Sequence, residues 1–288
     1  MKVAVTGASG LIGRSVCQLL AREHETLSVG RTDPRLENVA HLSVDLERGE
    51  IPLPSVDAVI HLAQSHRYRD LPSTIENVVG VNVFGTARLI EASRRSGATT
   101  FVFASSGSVY SPGTATQPMT LADVGDISLY GATKRGAELI VSGYREYLAT
   151  VSLRYFMVYG PGQDERMMFP SLLRRVQNQQ PLSLEGDAGL HFNPTYVSDA
   201  AAATVAALAA GSGAYDVCGP ETVSIRDVGV RLGEITGRQP VFESRPGPEP
   251  YLVGTCIPQV LGTPEVNPSE GMRRWVTEGG LVTVDGHK

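Results

Sequence analysis

The chain has 288 residues, 42% of them hydrophobic and 19% charged, with a formal net charge of −5. That is the composition of a globular protein with one large domain, or one domain and a smaller lobe, and its acidic balance counts against a nucleic-acid partner, which needs a basic face. The three cysteines, Cys17, Cys218 and Cys256, are odd in number and widely spaced, so neither a disulfide framework nor a metal site is expected, and a reducing, cytoplasmic compartment is.

No apolar run approaches the ~18 residues of a membrane span. The start at Val3-Ala4-Val5 is too short for a secretion signal. In chain order, 2–6 reads as a strand and 11–22 as a helix, with Leu11, Ile12, Val16, Leu19 and Leu20 at helical spacing. Segments 26–30, 40–44 and 56–62 read as strands. Then come a helix over 82–95, a strand over 99–104, a helix over 132–148 and a strand over 150–155. This alternation predicts an α/β fold, a doubly wound parallel sheet of Rossmann type with helices on both faces. After Pro161 proline and glycine become frequent and the alternation weakens. The reading is a Rossmann domain over 1–161, rejoined by 193–212, and a smaller mixed α/β substrate lobe over 162–192 and 213–288. The alanine-rich stretch from Ala200 to Ala210 reads as a buried helix, and Trp275 as a packing residue.

Gly7, Gly10 and Gly13 lie in Thr6-Gly7-Ala8-Ser9-Gly10-Leu11-Ile12-Gly13, after the first strand and at the start of the first helix. Glycine there lets the backbone approach a pyrophosphate, and the helix N-terminus offers it free N–H groups. Strand two ends Gly30-Arg31-Thr32-Asp33. Arg31 stands where the 2′-phosphate of NADP wants a cation, so NADP is preferred. NAD, with Asp33 on the ribose, is the alternative.

Tyr130 and Lys134 in Tyr130-Gly131-Ala132-Thr133-Lys134 share one face of a helix, and a nearby ammonium favours the phenolate for proton transfer. Ser106, in Ser105-Ser106-Gly107-Ser108-Val109-Tyr110, ends a strand where the ligand crevice is expected. His61 in its apolar strand reads as structural, and His66 as a loop residue near the site, solvated in preference to contacting substrate.

Together these motifs resemble the extended short-chain dehydrogenase/reductase family, in particular its sugar-nucleotide epimerases, dehydratases and reductases. The resemblance covers nearly the whole chain. It includes Asp45-Leu46, placed near the adenine, and His61-Leu62-Ala63. It also includes Asn82-Val83-Phe84-Gly85-Thr86, the segment from Tyr155 to Gln163, Tyr196-Val197-Ser198-Asp199, and Glu270-Gly271-Met272-Arg273-Arg274. The resemblance implies Ser106, Tyr130 and Lys134 as the catalytic trio. It implies cofactor contacts from Gly7, Ser9, Gly10, Leu11, Ile12, Gly13, Arg31, Asp45, Leu46, Leu62, Ala63, Tyr130, Lys134 and Tyr155. Tyr130 would exchange a proton with the substrate oxygen, Ser106 would hydrogen-bond that oxygen, and Lys134 would hold the nicotinamide ribose. A homodimer through 82–95 and 132–148 is also implied.

The departures bear on substrate. Met157 replaces the family's usual Asn, and Phe192 the usual Arg, both of which hold a diphosphate. With Ser108, these are the expected substrate contacts. Gly107 and Ser108 replace the Asp-Glu pair of the dehydratases, which counts against 4,6-dehydration. The expected activity is NAD(P)-dependent oxidoreduction of a sugar or nucleotide sugar, by a ketoreductase or an epimerase. A reductase of non-sugar ketones or aldehydes, and a non-catalytic dinucleotide-binding regulator or scaffold, are the alternatives.

Overall fold

The computed structural model describes residues 1–113, 119–123, 126–255 and 259–279. Cys256 lies outside them. Seven strands form the main sheet: β1 (Lys2–Thr6), β2 (Glu25–Gly30), β3 (Val39–Ser43), β4 (Ala58–His61), β5 (Thr100–Ser106), β6 (Ala149–Tyr155) and β7 (Gly213–Val217). Their order is β7-β6-β5-β4-β1-β2-β3, and every pairing is parallel. Parallel strands are covered on both faces, which is why Val3, Ala4, Val5, Ala58, Val59 and Ile60 are all fully buried. The strand order reverses between β1 and β4. The loops at their carboxyl ends part there, and a crevice opens.

Eight α-helices are described: α1 (Leu11–Leu20), α2 (Ile75–Val79), α3 (Thr86–Arg95), α4 (Leu129–Gly143), α5 (Met168–Gln177), α6 (Val197–Ala206), α7 (Ile225–Thr236) and α8 (Pro268–Glu278). Helices α1 and α6 cover one face of the sheet, where Val16, Cys17 and Leu20 pack with Ala200, Ala201 and Ala203. The small side chains of α6 permit that close approach. Helices α3 and α4 cover the other face through Leu89, Ile90, Ala137 and Val141. A separate core around Phe169, Leu173, Phe192, Val228, Leu232 and Trp275 holds the lobe together.

Two boundaries differ from the sequence reading. The strand at 213–217, placed in the lobe from its texture, joins the main sheet, with Gly213 opposite Val151 and Val217 opposite Tyr155. Helix α6 returns the chain to the sheet as read, and the strand that follows pairs with β6 at its edge, its short, polar-interrupted sequence having hidden it. The helix expected from Asn82 is longer, because α2, a π-helical turn (Gly80–Gly85) and α3 follow one another without a break.

Candidate active site

The site is built at the β1/β4 crevice. Gly7 turns the chain out of β1 with φ of 71°, and a Cβ there would lie 2.7 Å from the Ala63 backbone nitrogen. Only glycine fits. Gly10 then caps α1 with no side chain of its own, and Gly10, Leu11 and Ile12 line the adjoining cavity. The first amides of α1 therefore meet that cavity without a side-chain cap, which suits the pyrophosphate of a dinucleotide.

The cavity has a volume of about 710 Å³. At one end it touches Gly7, Ser9, Gly10, Leu11, Ile12, Gly13, Arg31, Asp45, Leu46, Leu62 and Ala63. At the other it touches Ser106, Ser108, Tyr130, Lys134, Tyr155 and Met157. Phe192 is the exception among the expected contacts. It is fully buried in the lobe core, 6.1 Å from Phe169 between ring centroids, and does not line the cavity. An apolar ring in place of a guanidinium turns inward, so the assignment of Phe192 as a substrate contact is corrected.

Helix α4 starts at Ser128, whose hydroxyl accepts a hydrogen bond from the Gly131 N–H at 3.0 Å. Gly131 then passes so near Ser108 that a Cβ would overlap its carbonyl oxygen. This contact sets Tyr130 against the end of β5. The Tyr130 hydroxyl donates to Gln64 Oε1 at 2.8 Å. Burial pushes the Tyr130 phenol above its ordinary range and Tyr68 adds to this, while hydrogen bonds with Ser106 and Gln64 oppose it. Ser106 Oγ also accepts from the Ser108 N–H at 3.1 Å.

Lys134, one turn after Tyr130, is buried and donates to the Ala104 carbonyl at 2.9 Å. Its Nζ lies 5.9 Å from the Tyr130 ring centroid. Burial pulls its pKa down to about 7, against the opposing charge of Glu138. His61 has no place in proton transfer. Thr86 gives its hydroxyl proton to the Asn82 carbonyl at 2.7 Å, so it accepts from His61 Nε2 at 2.9 Å. His61 Nδ1 is left to accept from Thr6 Oγ1 at 2.6 Å. Burial first, and then Lys134, hold its pKa down to about 3, so the ring stays neutral.

Arg31 lines the cavity, whereas Asp33 turns to accept from the Arg35 N–H at 2.8 Å. Tyr155 lines it too, but its hydroxyl is engaged with Thr204 at 2.7 Å. Sequence reasoning missed Gln64, Tyr68, Gln163, Met167, Met168 and Phe169, which also line the cavity, and His66 joins them, as the less favoured of its two readings had it. Gln64 directly follows the His61-Leu62-Ala63 signature, and that adjacency was the available signal. The lobe residues carried none, since folding alone brings them to the crevice.

The model of the NAD dependent epimerase/dehydratase family matches residues 3–218. The chain belongs to this family. Membership makes it an enzyme of the short-chain dehydrogenase/reductase type. The uncharacterized UDP-glucose epimerase YtcB of Bacillus subtilis (strain 168) is 29% identical over 266 residues, 83% of each chain. The 2-alkyl-3-oxoalkanoate reductase of Stenotrophomonas maltophilia (strain K279a) is 28% identical over 273 residues, 88% of this chain and 81% of its own. Among solved structures, MoeE5 in complex with UDP-glucose and NAD superposes with a TM-score of 0.83 at 26% identity, over 98% of this chain and 100% of that one.

Among the described residues no helix is long and apolar enough to cross a membrane, and no group of three or more His, Cys, Asp or Glu could hold a metal ion.

Proposed function

We propose that the chain interconverts a ketone and a secondary alcohol on a sugar or nucleotide sugar, as a ketoreductase or an epimerase, with NADP as its preferred dinucleotide. The observation that carries this reading is the meeting of Ser106, Tyr130 and Lys134 in one cavity with the Gly7–Gly13 turn. When bound, the nicotinamide supplies the hydride. The chain holds the reacting oxygen with Ser106 and moves the proton at the Tyr130 hydroxyl. Lys134 keeps a cation beside that hydroxyl and holds the ribose. The sugar class is supported by relatives such as the UDP-glucose epimerase YtcB and MoeE5. NADP is supported by Arg31 on the cavity wall and by Asp33 engaged elsewhere.

A second reading, reduction of a non-sugar ketone, is favoured by the substrate end of the cavity. Met157, Met167, Met168, Phe169 and Tyr68 line it, and among the described lining residues Lys and Arg are limited to Arg31 and Lys134. The S. maltophilia relative is named as a reductase of 3-oxoalkanoates. A non-catalytic sensor would have no use for a buried lysine beside a cavity-lining tyrosine. We place the protein in the cytoplasm as a homodimer joined through α3 and α4.

The test begins with the nucleotide released on denaturation, followed by NADH and NADPH titrations of wild type and Arg31→Ala. Tighter NADPH binding that Arg31→Ala abolishes is expected. Tightly retained NAD would overturn the NADP assignment and favour an epimerase. Tyr130→Phe should bind the dinucleotide normally and lose about 10²–10⁴-fold in turnover. Near-normal turnover would sink the assignment of Tyr130.

A further inference from the structure

The contact between Gln64 and Tyr130 belongs to none of the motifs that point to the trio. We propose that Gln64 is a positioning residue that holds the Tyr130 hydroxyl in both of its protonation states. This rests on the reading of Tyr130 as the proton-transfer group.

Four hydrogen bonds bring the two side chains together. On one side of Gln64, the Ala63 N–H donates to Thr6 Oγ1 at 3.2 Å. On the other, the Ser65 N–H donates to Asn82 Oδ1 at 2.8 Å. The Asn82 amide then donates through Nδ2 to Thr133 Oγ1 at 3.1 Å, and Thr133 donates to the Tyr130 carbonyl at 2.8 Å. The loop that carries Gln64 and the helix that carries Tyr130 are thus tied through one buried asparagine. From a further side, the Tyr68 ring packs on the Tyr130 ring, with centroids 4.7 Å apart and planes inclined at 33°.

A side-chain amide suits this position for a chemical reason. Its oxygen accepts from the phenol, as in this structure, and its NH₂ donates to the phenolate after a half-turn about the last side-chain bond. Gln64 neither gains nor loses a proton. Tyr130 gives its proton to the substrate oxygen and takes one back from solvent, while Gln64 keeps a partner for the hydroxyl throughout. A carboxylate of the same shape could serve only the phenol, and would repel the phenolate. A leucine could serve neither. The other titratable groups around Tyr130 are Lys134 on its own helix, Tyr68 against its ring, and His66 on the same cavity wall. None of them accepts from the phenol.

The experiment is carbon-13 NMR of the NADP⁺-saturated protein labelled at the tyrosine ring carbon that bears oxygen. The Tyr130 signal is identified by its absence from Tyr130→Phe. In Gln64→Leu it should move at neutral pH, because the phenol loses its acceptor. In Gln64→Glu it should convert to tyrosinate at least about one pH unit higher than in wild type, which is tenfold less tyrosinate at a given pH. If either variant fails to fold, Gln64→Asn keeps the amide but is one methylene too short to reach the hydroxyl, and should move the signal as Gln64→Leu does. A Tyr130 signal unmoved in the folded variants overturns the inference. Turnover of UDP-glucose or a 3-oxo acid by Tyr130→Phe separates the two claims. If that variant stays active the assignment of Tyr130 fails, whereas an unmoved signal beside an inactive Tyr130→Phe removes only the role of Gln64.

Discussion

Arg154 on β6 grips Glu138 on α4 with two prongs, Nε to Oε1 at 2.8 Å and Nη2 to Oε2 at 3.0 Å. Both side chains are nearly buried, and Glu138 stands one turn after Lys134. The pair locks the catalytic helix to the sheet and supplies the negative charge that helps Lys134 hold its proton.

Glu138→Ala strands a buried guanidinium, and should destabilise the protein by about 3–5 kcal/mol. Burial pushes the Glu138 carboxyl up, but hydrogen bonds from Arg154 and Arg135 and the charge of Arg154 outweigh this and hold it below the usual glutamate range. A depressed carboxyl stabilises the fold above its unfolded pKa, and that contribution fades as pH falls through the folded value. Urea midpoints should therefore separate wild type from Glu138→Ala widely at neutral pH and converge in acid. An equal gap at both would show that the carboxylate's charge is not what matters.

Lys134 has the opposite sign of effect. Its folded pKa is about 7, well below the usual lysine value, because the ammonium is buried. Between those values the unfolded chain binds a proton that the folded chain lacks, so this residue makes stability rise with pH across that window. Lys134→Met removes the term. In thermal melts without dinucleotide the variant should exceed wild type near neutrality, with a gap that closes as pH approaches ~10. Turnover should fall at the same time, since Tyr130 loses its cation. A gap independent of pH would refute the buried-ammonium account.

The motifs that turned out to line the cavity were those whose chemistry acts locally. A glycine turn between strand and helix, a Tyr and a Lys one helical turn apart, and a serine at a strand end each declare their geometry in a few residues. Phe192 was misplaced because its neighbours come from Phe169 and Val223, and only the folded lobe brings these together. Gln64 and Gln163 were missed for a related reason, since a glutamine in a loop has no periodicity to betray it. β7 was hidden because Gly213-Ala214-Tyr215-Asp216-Val217 lacks the continuous apolar run of a central parallel strand, and as an edge strand it does not need one.

Met157 carries a strain visible only in the backbone. Its φ is 41°, in the left-handed region that asparagine adopts far more readily than methionine. The asparagine usual in the family at this position therefore has a conformational reason as well as a binding one. Met157 lines the cavity and is half-buried against the edge of the lobe core, so its replacement sets a limited loss of packing against relief of the backbone. Met157→Asn should stabilise the protein by about 1 kcal/mol, read as a higher urea midpoint at unchanged slope. It should also strengthen binding of a nucleotide diphosphate if the cavity accepts one. A lower midpoint would show that the methionine's contacts outweigh the backbone strain.

Large apolar side chains are exposed on α4 and beside the α3 and α4 helices. Leu139 on α4 is 59% exposed, Phe84 in the π-helical turn before α3 58% and Tyr147 just after α4 67%. Leu139 lies on α4 opposite its buried residues Ala137 and Val141, so it contributes nothing to this chain's own core. A two-fold contact through this face would bring Leu139 of each copy into the shared surface, where a carboxylate would be desolvated without a partner. Wild type should sediment as a dimer and Leu139→Glu as a monomer. Val230→Glu is the control, being 41% exposed but on α7 in the lobe, and it should leave the dimer intact. If wild type is a monomer, or if both variants stay dimeric, the α3–α4 face is not the contact.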